Sequence, residues 1–203
     1  MLGPIVLVIV LVFTVWLKYE LSKSTSHSKE TFLEREQRAN NVRRQPTADL
    51  DYITFSEKTL PFIKNINENN DEILSKCVEE LHILQQCKIL NLQGISNTEL
   101  KMQYGPANLQ FLSECDEHFF ELCKVLHSYA KRLLEVGLTA EAKTVLEFAV
   151  EIGCDTLAVY TTLADCYLAE GDADSLEYLQ YKAKACPELS RARIEEYLNT
   201  IIQ

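Results

Sequence analysis

Residues 126–159 read LHSYAKRLLEVGLTAEAKTVLEFAVEIGCDTLAV, and residues 160–187 read YTTLADCYLAEGDADSLEYLQYKAKACP. When the second line is set under the first, similar residues recur at a constant spacing of 34 residues. The matched pairs are Leu126 and Tyr160, Ala130 and Ala164, Leu133 and Tyr167, Gly137 and Gly171, and Ala149 and Ala183. Small residues let two helices approach closely, and a glycine can end a helix in a left-handed turn. A fixed period of this length predicts stacked helical hairpins.

The pattern over residues 126–187 resembles the tetratricopeptide repeat family, whose units are antiparallel helical hairpins with this same period. Ala130, Leu133 and Gly137 match the small, large and turn positions of the first unit. Leu176 and Gln180 depart from the pattern, because a small residue and a large apolar one are usual there. The resemblance implies an all-α fold with two repeats plus flanking and capping helices. A generic bundle of helical hairpins is the alternative.

The segments on either side of the repeats also predict helices. In residues 47–125, Asp71 is a good N-cap for a helix, a short helix over residues 98–104 ends at Gly105, and a long helix runs to about Val136. The apolar face of the first of these helices comprises Ile73, Leu74, Cys77, Val78, Leu81, Leu84 and Ile89. Whether residues 47–125 form a further repeat stays open. Residues 188–203 predict a capping helix with Ala192, Ile194, Leu198 and Ile201 on its apolar face.

Residues 1–21 predict a single transmembrane anchor. Residues 2–17 contain no charge and rise about 24 Å as a helix, and Trp16, Lys18 and Tyr19 suit the membrane interface. Representative lipid-facing residues are Ile5, Val8, Leu11, Phe13 and Trp16. A cleaved signal peptide would have a basic residue before the apolar stretch and small residues after it, and neither is present.

Charge predicts the orientation of this anchor. Residues 1–45 contain seven Lys and Arg, all on the C-terminal side of the apolar stretch. Because basic flanks stay on the cytoplasmic side of a membrane, we expect the N-terminus outside and the body in the cytoplasm. We expect a single-pass protein of the cell membrane. Residues 22–46 form a charged juxtamembrane linker or stalk. Their basic residues could touch anionic headgroups, but the interleaved Glu30, Glu34 and Glu36 favour a plain stalk.

Composition argues against several classes of function. The chain has 203 residues and a formal net charge of −10, and an acidic body is unsuited to binding nucleic acid. Its seven cysteines form no Cys-x-x-Cys pair, so they indicate a reducing compartment rather than a disulfide framework or a metal site. We expect no cofactor and no metal.

The sequence also contains no convincing catalytic constellation. Cys123 and His127 are one helical turn apart on one helix face, as a nucleophile and its base would be. No oxyanion loop and no third residue to orient the histidine accompany them. We therefore expect that the protein is not an enzyme and has no small-molecule substrate.

The resemblance implies a binding groove lined by the first helix of each hairpin. Carried onto this sequence, its inward positions include Lys124, His127, Lys131, Thr161 and Asp165. The three basic residues would suit an acidic peptide or a C-terminal carboxylate. The sequence thus predicts a membrane-anchored adaptor or scaffold for a protein partner. The alternatives are a structural subunit of a membrane complex and an extracytoplasmic helper of secretion or assembly.

Overall fold

A computed structural model describes residues 13–14, 16–18, 31–63, 65–66 and 69–201 of the chain. The described fold is all-α, as predicted, apart from one antiparallel pair of two-residue strands, β1 (Asn65–Ile66) and β2 (Asn69–Asn70). The helices are α1 (residues 31–40), α2 (Glu72–Leu84), α3 (Asn97–Tyr104), a 3-10 turn (Pro106–Asn108), α4 (Leu109–Glu135), α5 (Thr139–Glu151), α6 (Leu157–Glu170), α7 (Ala173–Ala183) and α8 (Glu188–Ile201).

The chain divides into two compact units. The smaller unit comprises residues 1–47 and 96–109, of which the helical elements described above are α1, α3 and the 3-10 turn. The larger unit comprises residues 48–95 and 110–203, and it contains α2 and α4 to α8. The two stretches of the smaller unit are far apart in sequence, so contacts between them must hold it together, including the bond of 3.0 Å from the Gln45 N–H to the Tyr104 carbonyl.

Charged side chains join α1 to α3 in the smaller unit. The Glu36 carboxylate accepts a hydrogen bond of 2.7 Å from Thr98 Oγ1 and pairs with Lys101, while Arg35 pairs with Glu99 at 3.3 Å. α3 begins in a capping box, in which Ser96 and Glu99 each bond the other's backbone N–H. Part of the charged segment predicted as a linker is therefore a helix with defined partners.

In the larger unit α2 runs antiparallel to α4. The Asp71 side chain caps α2 by accepting the Leu74 N–H at 3.0 Å, and it also pairs with Arg132 near the end of α4 at 2.8 Å. At the opposite end, Leu90 N–H donates to the carbonyl of Cys115 at 3.2 Å. The N-cap prediction at Asp71 is confirmed. The placement of Ile73 on the buried face was wrong: its side chain is 53% exposed, because it lies at the edge of the stripe centred on Leu74, Val78 and Leu81.

Tyr129 fixes an extended segment against α4. Its side chain is fully buried, and its hydroxyl donates to the carbonyl of Pro61 and accepts the N–H of Ile63, both at 2.7 Å. A buried hydroxyl without partners would be costly, so these two bonds permit a tyrosine in the core. They also determine where the chain before α2 meets the first hairpin.

The same hydrogen-bonded turn ends α4 and α6. After α4, the N–H groups of Gly137 and Leu138 donate to the carbonyls of Leu134 and Leu133 at 3.0 and 2.9 Å. After α6, one repeat later, the N–H groups of Gly171 and Asp172 donate to the carbonyls of Leu168 and Tyr167 at 3.1 and 3.0 Å. Both glycines have positive φ, +85° and +70°, as this C-terminal cap requires.

The residues that repeat in sequence are also equivalent in the core. Apart from the two turn glycines, each residue of the matched pairs is buried. The spacing continues into α8, since Ile194 and Leu198 follow Tyr160 and Ala164 by one further period and are fully buried. α8 therefore packs on α6 in the position equivalent to α4 and α6, the first helices of the two hairpins. The expectation that Ala192 faces the core was wrong, because it is exposed at the edge of this face.

The second hairpin accommodates both departures from the repeat pattern. Leu176 is buried and packs in the common core. Gln180 is half-buried, and its amide donates to the side-chain oxygen of Asn199 on α8 at 3.2 Å. A polar residue is tolerated at this position because α8 supplies its partner.

The predicted anchor lies mostly outside the described residues, including Ile5, Val8 and Leu11. No helix within the described part of the chain is long and apolar enough to cross a membrane. Phe13 and Trp16 are described: both are helical and 55% exposed, and their ring centroids are 5.9 Å apart.

We expect Gly137→Ala and Gly171→Ala to destabilise the larger unit by similar amounts, each by about 1 kcal/mol, the cost of placing alanine at positive φ. A Cβ would meet nothing within 4 Å at either position, so no steric clash adds to this cost. Asparagine tolerates this conformation better, and Gly→Asn at either site should cost less. Urea unfolding measures both effects. Equal losses for alanine and asparagine, or no loss for alanine, would contradict this explanation.

Candidate functional site

The residues predicted to line a groove lie on neighbouring helices of the larger unit. Lys124, His127 and Lys131 are on α4, and Thr161 and Asp165 are on α6. α4 and α6 come together at this surface, because His127 Nε2 lies 3.5 Å from the hydroxyl oxygen of Thr162.

The two lysines on α4 are both exposed, but their surroundings differ. Lys124 pairs with Glu121 one turn earlier on the same helix at 3.2 Å. Lys131 takes part in none of the ion pairs formed by the described residues. An ion pair at an exposed position contributes little, so a partner could replace Glu121 at small cost. Both ammonium groups are thus accessible to an external carboxylate.

His127 is half-buried between these two lysines in sequence. Burial lowers its pKa below the ordinary value, and the positive charge of Lys131 lowers it further. The imidazole is therefore neutral near pH 7. At this surface it can accept or donate a hydrogen bond to a partner, but it adds no positive charge.

Asp165 on α6 is exposed and connects α6 to α8. Its carboxylate accepts a hydrogen bond of 2.9 Å from the Tyr197 hydroxyl. Burial raises the pKa of Tyr197, and this bond raises it further. The half-buried Thr161 donates its hydroxyl to the carbonyl of Ala158 at 3.1 Å. We call the surface formed by Lys124, His127, Lys131, Thr161, Asp165 and Tyr197 the α4–α6–α8 face. Its α4 side is basic and its α6 side is acidic.

Sequence reasoning did not include Tyr197 or the rest of α8 in this surface. The signal was present in the spacing, because Glu195 and Asn199 follow Thr161 and Asp165 by the same period as the matched pairs. It was missed because α8 was interpreted as a cap, and a cap was expected to cover the repeat rather than extend its surface.

A cavity of about 320 Å³, separate from the α4–α6–α8 face, lies at the ends of the two hairpins opposite their Gly137 and Gly171 turns. It opens between the loop after α2 and the C-terminal ends of α5 and α7. Lining residues include Asn91, Gln93, Glu151, Tyr160, Lys182 and Cys186. None of the predicted site residues lines it.

The charged groups that line this cavity are already paired. Glu151 accepts a hydrogen bond from the Tyr178 hydroxyl and pairs with Lys182 at 2.9 Å. These contacts lower the pKa of Glu151 and raise that of Lys182. The Tyr160 hydroxyl lies 3.3 Å from the sulfur of Cys186. The cavity therefore presents no unpaired charge to a ligand.

The nucleophile and base considered from the sequence do not form a pair. Cys123 is 5% exposed, and the neighbouring Cys154 thiol together with burial raises the pKa of Cys123. A thiol with a raised pKa is a poor nucleophile. The imidazole of His127 meets Thr162 instead. Within the described residues, no three His, Cys, Asp or Glu side chains are grouped so that they could hold a metal ion.

Comparison with protein-family models, curated proteins and solved structures gives no match for this chain. The resemblance to tetratricopeptide repeats therefore stays a prediction from the sequence pattern.

We expect Lys131→Gln to raise the pKa of His127 while leaving it below the ordinary histidine value of about 6.5, because burial still opposes protonation. An NMR titration of the His127 ring measures this. Lys124→Gln is the control, and it should leave the pKa unchanged. A lowered pKa in the fold also means that stability falls as the pH drops below about 6.5. An equal rise in both variants would contradict a specific effect of Lys131.

Proposed function

We propose that this chain is a membrane-anchored adaptor that binds a protein partner on the α4–α6–α8 face. The observation that carries the proposal is the periodic recurrence of the same helix, turn and buried residues. Hairpins that repeat in this way build an extended surface from one helix of each unit, and such surfaces commonly bind peptides or proteins. The likeness to tetratricopeptide repeats supports the same use.

The charge of the face favours a partner segment with an acidic end. The exposed ammonium groups of Lys124 and Lys131 suit carboxylates, and the neutral His127 between them suits a hydrogen-bonding group. The Asp165 carboxylate on the neighbouring helix would repel acid and favour a basic or polar residue. We therefore propose an extended peptide whose acidic residues lie along α4 and whose other side chains lie along α6.

Support for the membrane anchor comes mainly from the sequence. Residues 2–17 are uncharged, and the basic residues of the first 45 all follow them. Phe13 and Trp16, at the end of this stretch, are helical and exposed, as aromatic side chains at a membrane interface would be. A tether raises the local concentration of the adaptor near membrane-bound partners.

Exposed apolar side chains favour a second candidate, a structural subunit of a membrane complex. Tyr181 on α7 is 68% exposed and Leu189 on α8 is 83% exposed. They flank residues 182–187, one of the stretches of the chain that line the cavity. Large exposed apolar side chains of this kind can mark a permanent protein contact.

Crosslinking and pull-down from membranes tests the adaptor. We expect Lys124→Glu/Lys131→Glu to reduce recovery of the partner by about tenfold or more, since reversing two contacting charges costs at least about 1.4 kcal/mol. Lys76→Glu/Lys184→Glu is the matched control, with the same charge change at exposed positions off the face. Equal recovery of the partner with the wild type, the face variant and the control variant would refute the face as the binding site. Loss only in Tyr181→Ser/Leu189→Ser would favour the structural subunit.

The orientation of the body is tested by its thiols. Cys87 is half-buried, whereas the other six cysteines are buried, so a bulky thiol reagent should label Cys87 first. We expect a membrane-impermeant maleimide to label the protein only after the cells are permeabilised, and Cys87→Ser to abolish this labelling. Labelling in intact cells would place the body outside and favour the extracytoplasmic helper.

A further inference from the structure

The two units of the chain carry opposite net charge. Residues 1–47 and 96–109 contain eight Lys and Arg against five Asp and Glu, a net charge of +3. The remaining residues contain twelve against twenty-five, a net charge of −13. The positive unit is the one that contains the predicted anchor. A basic unit next to a membrane is attracted to anionic headgroups.

Two acidic groups of the smaller unit are neutralised inside it. Glu36 pairs with Lys101 and accepts a bond from Thr98, and Glu99 pairs with Arg35 and caps α3. These hydrogen bonds lower the pKa of both carboxyls. Among the described residues of this unit, Glu34 is the carboxylate without an ion pair.

Two arginines of the same unit remain available to an external anion. Arg38 is exposed, and its guanidinium makes one long contact of 3.5 Å with the backbone carbonyl of Glu34. Arg43 is exposed and forms no ion pair within the described part of the chain. Together they outnumber Glu34, the one carboxylate without an ion pair among the described residues of this unit.

The fold holds the segment around Arg43 in place. Asn108 is 1% exposed, and its amide donates to the carbonyls of Gln45 and Tyr104 at 2.7 Å each while accepting Arg44 Nε at 3.0 Å. Gly105 has φ +83°, and a Cβ there would lie 2.9 Å from the carbonyl oxygen of Arg43. The backbone of Arg43 and Arg44 therefore packs directly on Gly105, and this contact helps to fix the position of Arg43.

Apolar side chains accompany these charges. Phe32 and Leu33, at the start of α1, are 59% and 62% exposed. Exposed aromatic and aliphatic side chains suit the boundary between headgroups and acyl chains, and arginines that follow them in sequence suit the anionic headgroups. The described part of the protein provides no cover for these two side chains that would explain them as core.

We propose that α1 and the segment that follows it bind the surface of an anionic membrane. Phe32 and Leu33 enter the boundary between headgroups and acyl chains, and Arg38 and Arg43 bind headgroup phosphates. The inference rests on the proposed anchor, which brings this unit to the bilayer. It goes beyond the anchor because it assigns a lipid class to a folded surface.

The test uses the full chain, reconstituted into vesicles of phosphatidylcholine alone or with about 30% phosphatidylglycerol. Hydrogen exchange of amides in residues 31–45 is the readout. Each basic residue at an anionic surface contributes a factor of about five in affinity, so we expect these amides to exchange at least about fivefold more slowly in the anionic vesicles. The effect should disappear in about 1 M salt, where the screening length is about 3 Å.

Charge variants separate headgroup binding from general effects. Arg38→Glu/Arg43→Glu should abolish the slowing, Arg38→Lys/Arg43→Lys should retain it, and Lys124→Glu/Lys131→Glu, with the same charge change in the larger unit, should retain it too. Equal exchange of the wild-type amides in the two kinds of vesicle would overturn this inference and leave the anchor intact. Failure of the wild-type chain to float with either vesicle would overturn the anchor and this inference together.

Discussion

Helices α4 and α6 must each stop at a glycine, and the construction of the larger unit follows from that requirement. A turn with two backbone bonds and one residue at positive φ reverses the chain over a short distance. The next helix then returns along the first, and their separation is set by small residues such as Ala130 and Ala164. Because the turn recurs at a fixed interval, the next hairpin packs on the first in the same way.

The continuation of this spacing into α8 changes the interpretation of the C-terminus. Ile194 and Leu198 occupy the core positions of a first helix, so α8 presents a surface of its own beside α6. The Tyr197 hydroxyl then donates a hydrogen bond to Asp165, and the Gln180 amide donates one to Asn199. A helix that ends an array can thus also extend its exposed surface, and the proposed adaptor face gains a third helix.

The hairpins and their turns were predictable from the sequence because they depend on local and periodic signals. Glycine positions, the Asp71 cap and apolar spacing define helices without knowledge of their neighbours. The smaller unit was not predictable, because it depends on contacts between residues far apart in the chain, such as Glu36 with Lys101. A charged stretch like residues 31–44 looks like a solvated linker unless its partners are known. Edges of apolar faces were also misjudged, as at Ile73 and Ala192, since spacing alone does not define the width of a contact. The predicted site residues lie on α4 and α6, but nothing in the sequence indicated the contacts that join these helices to each other and to α8.

The buried thiols of the larger unit can report on its local opening. Cys77 lies on α2, Cys123 on α4, Cys154 between α5 and α6, Cys166 on α6 and Cys186 after α7, and all five are buried. A buried thiol reacts only when its surroundings open, so its modification rate measures the free energy of local opening. In an array whose units contact mainly their neighbours, these rates need not be equal. The cysteines therefore allow a thiol reagent to distinguish fraying of the last hairpin from opening of the first, without a reporter residue being introduced by mutation.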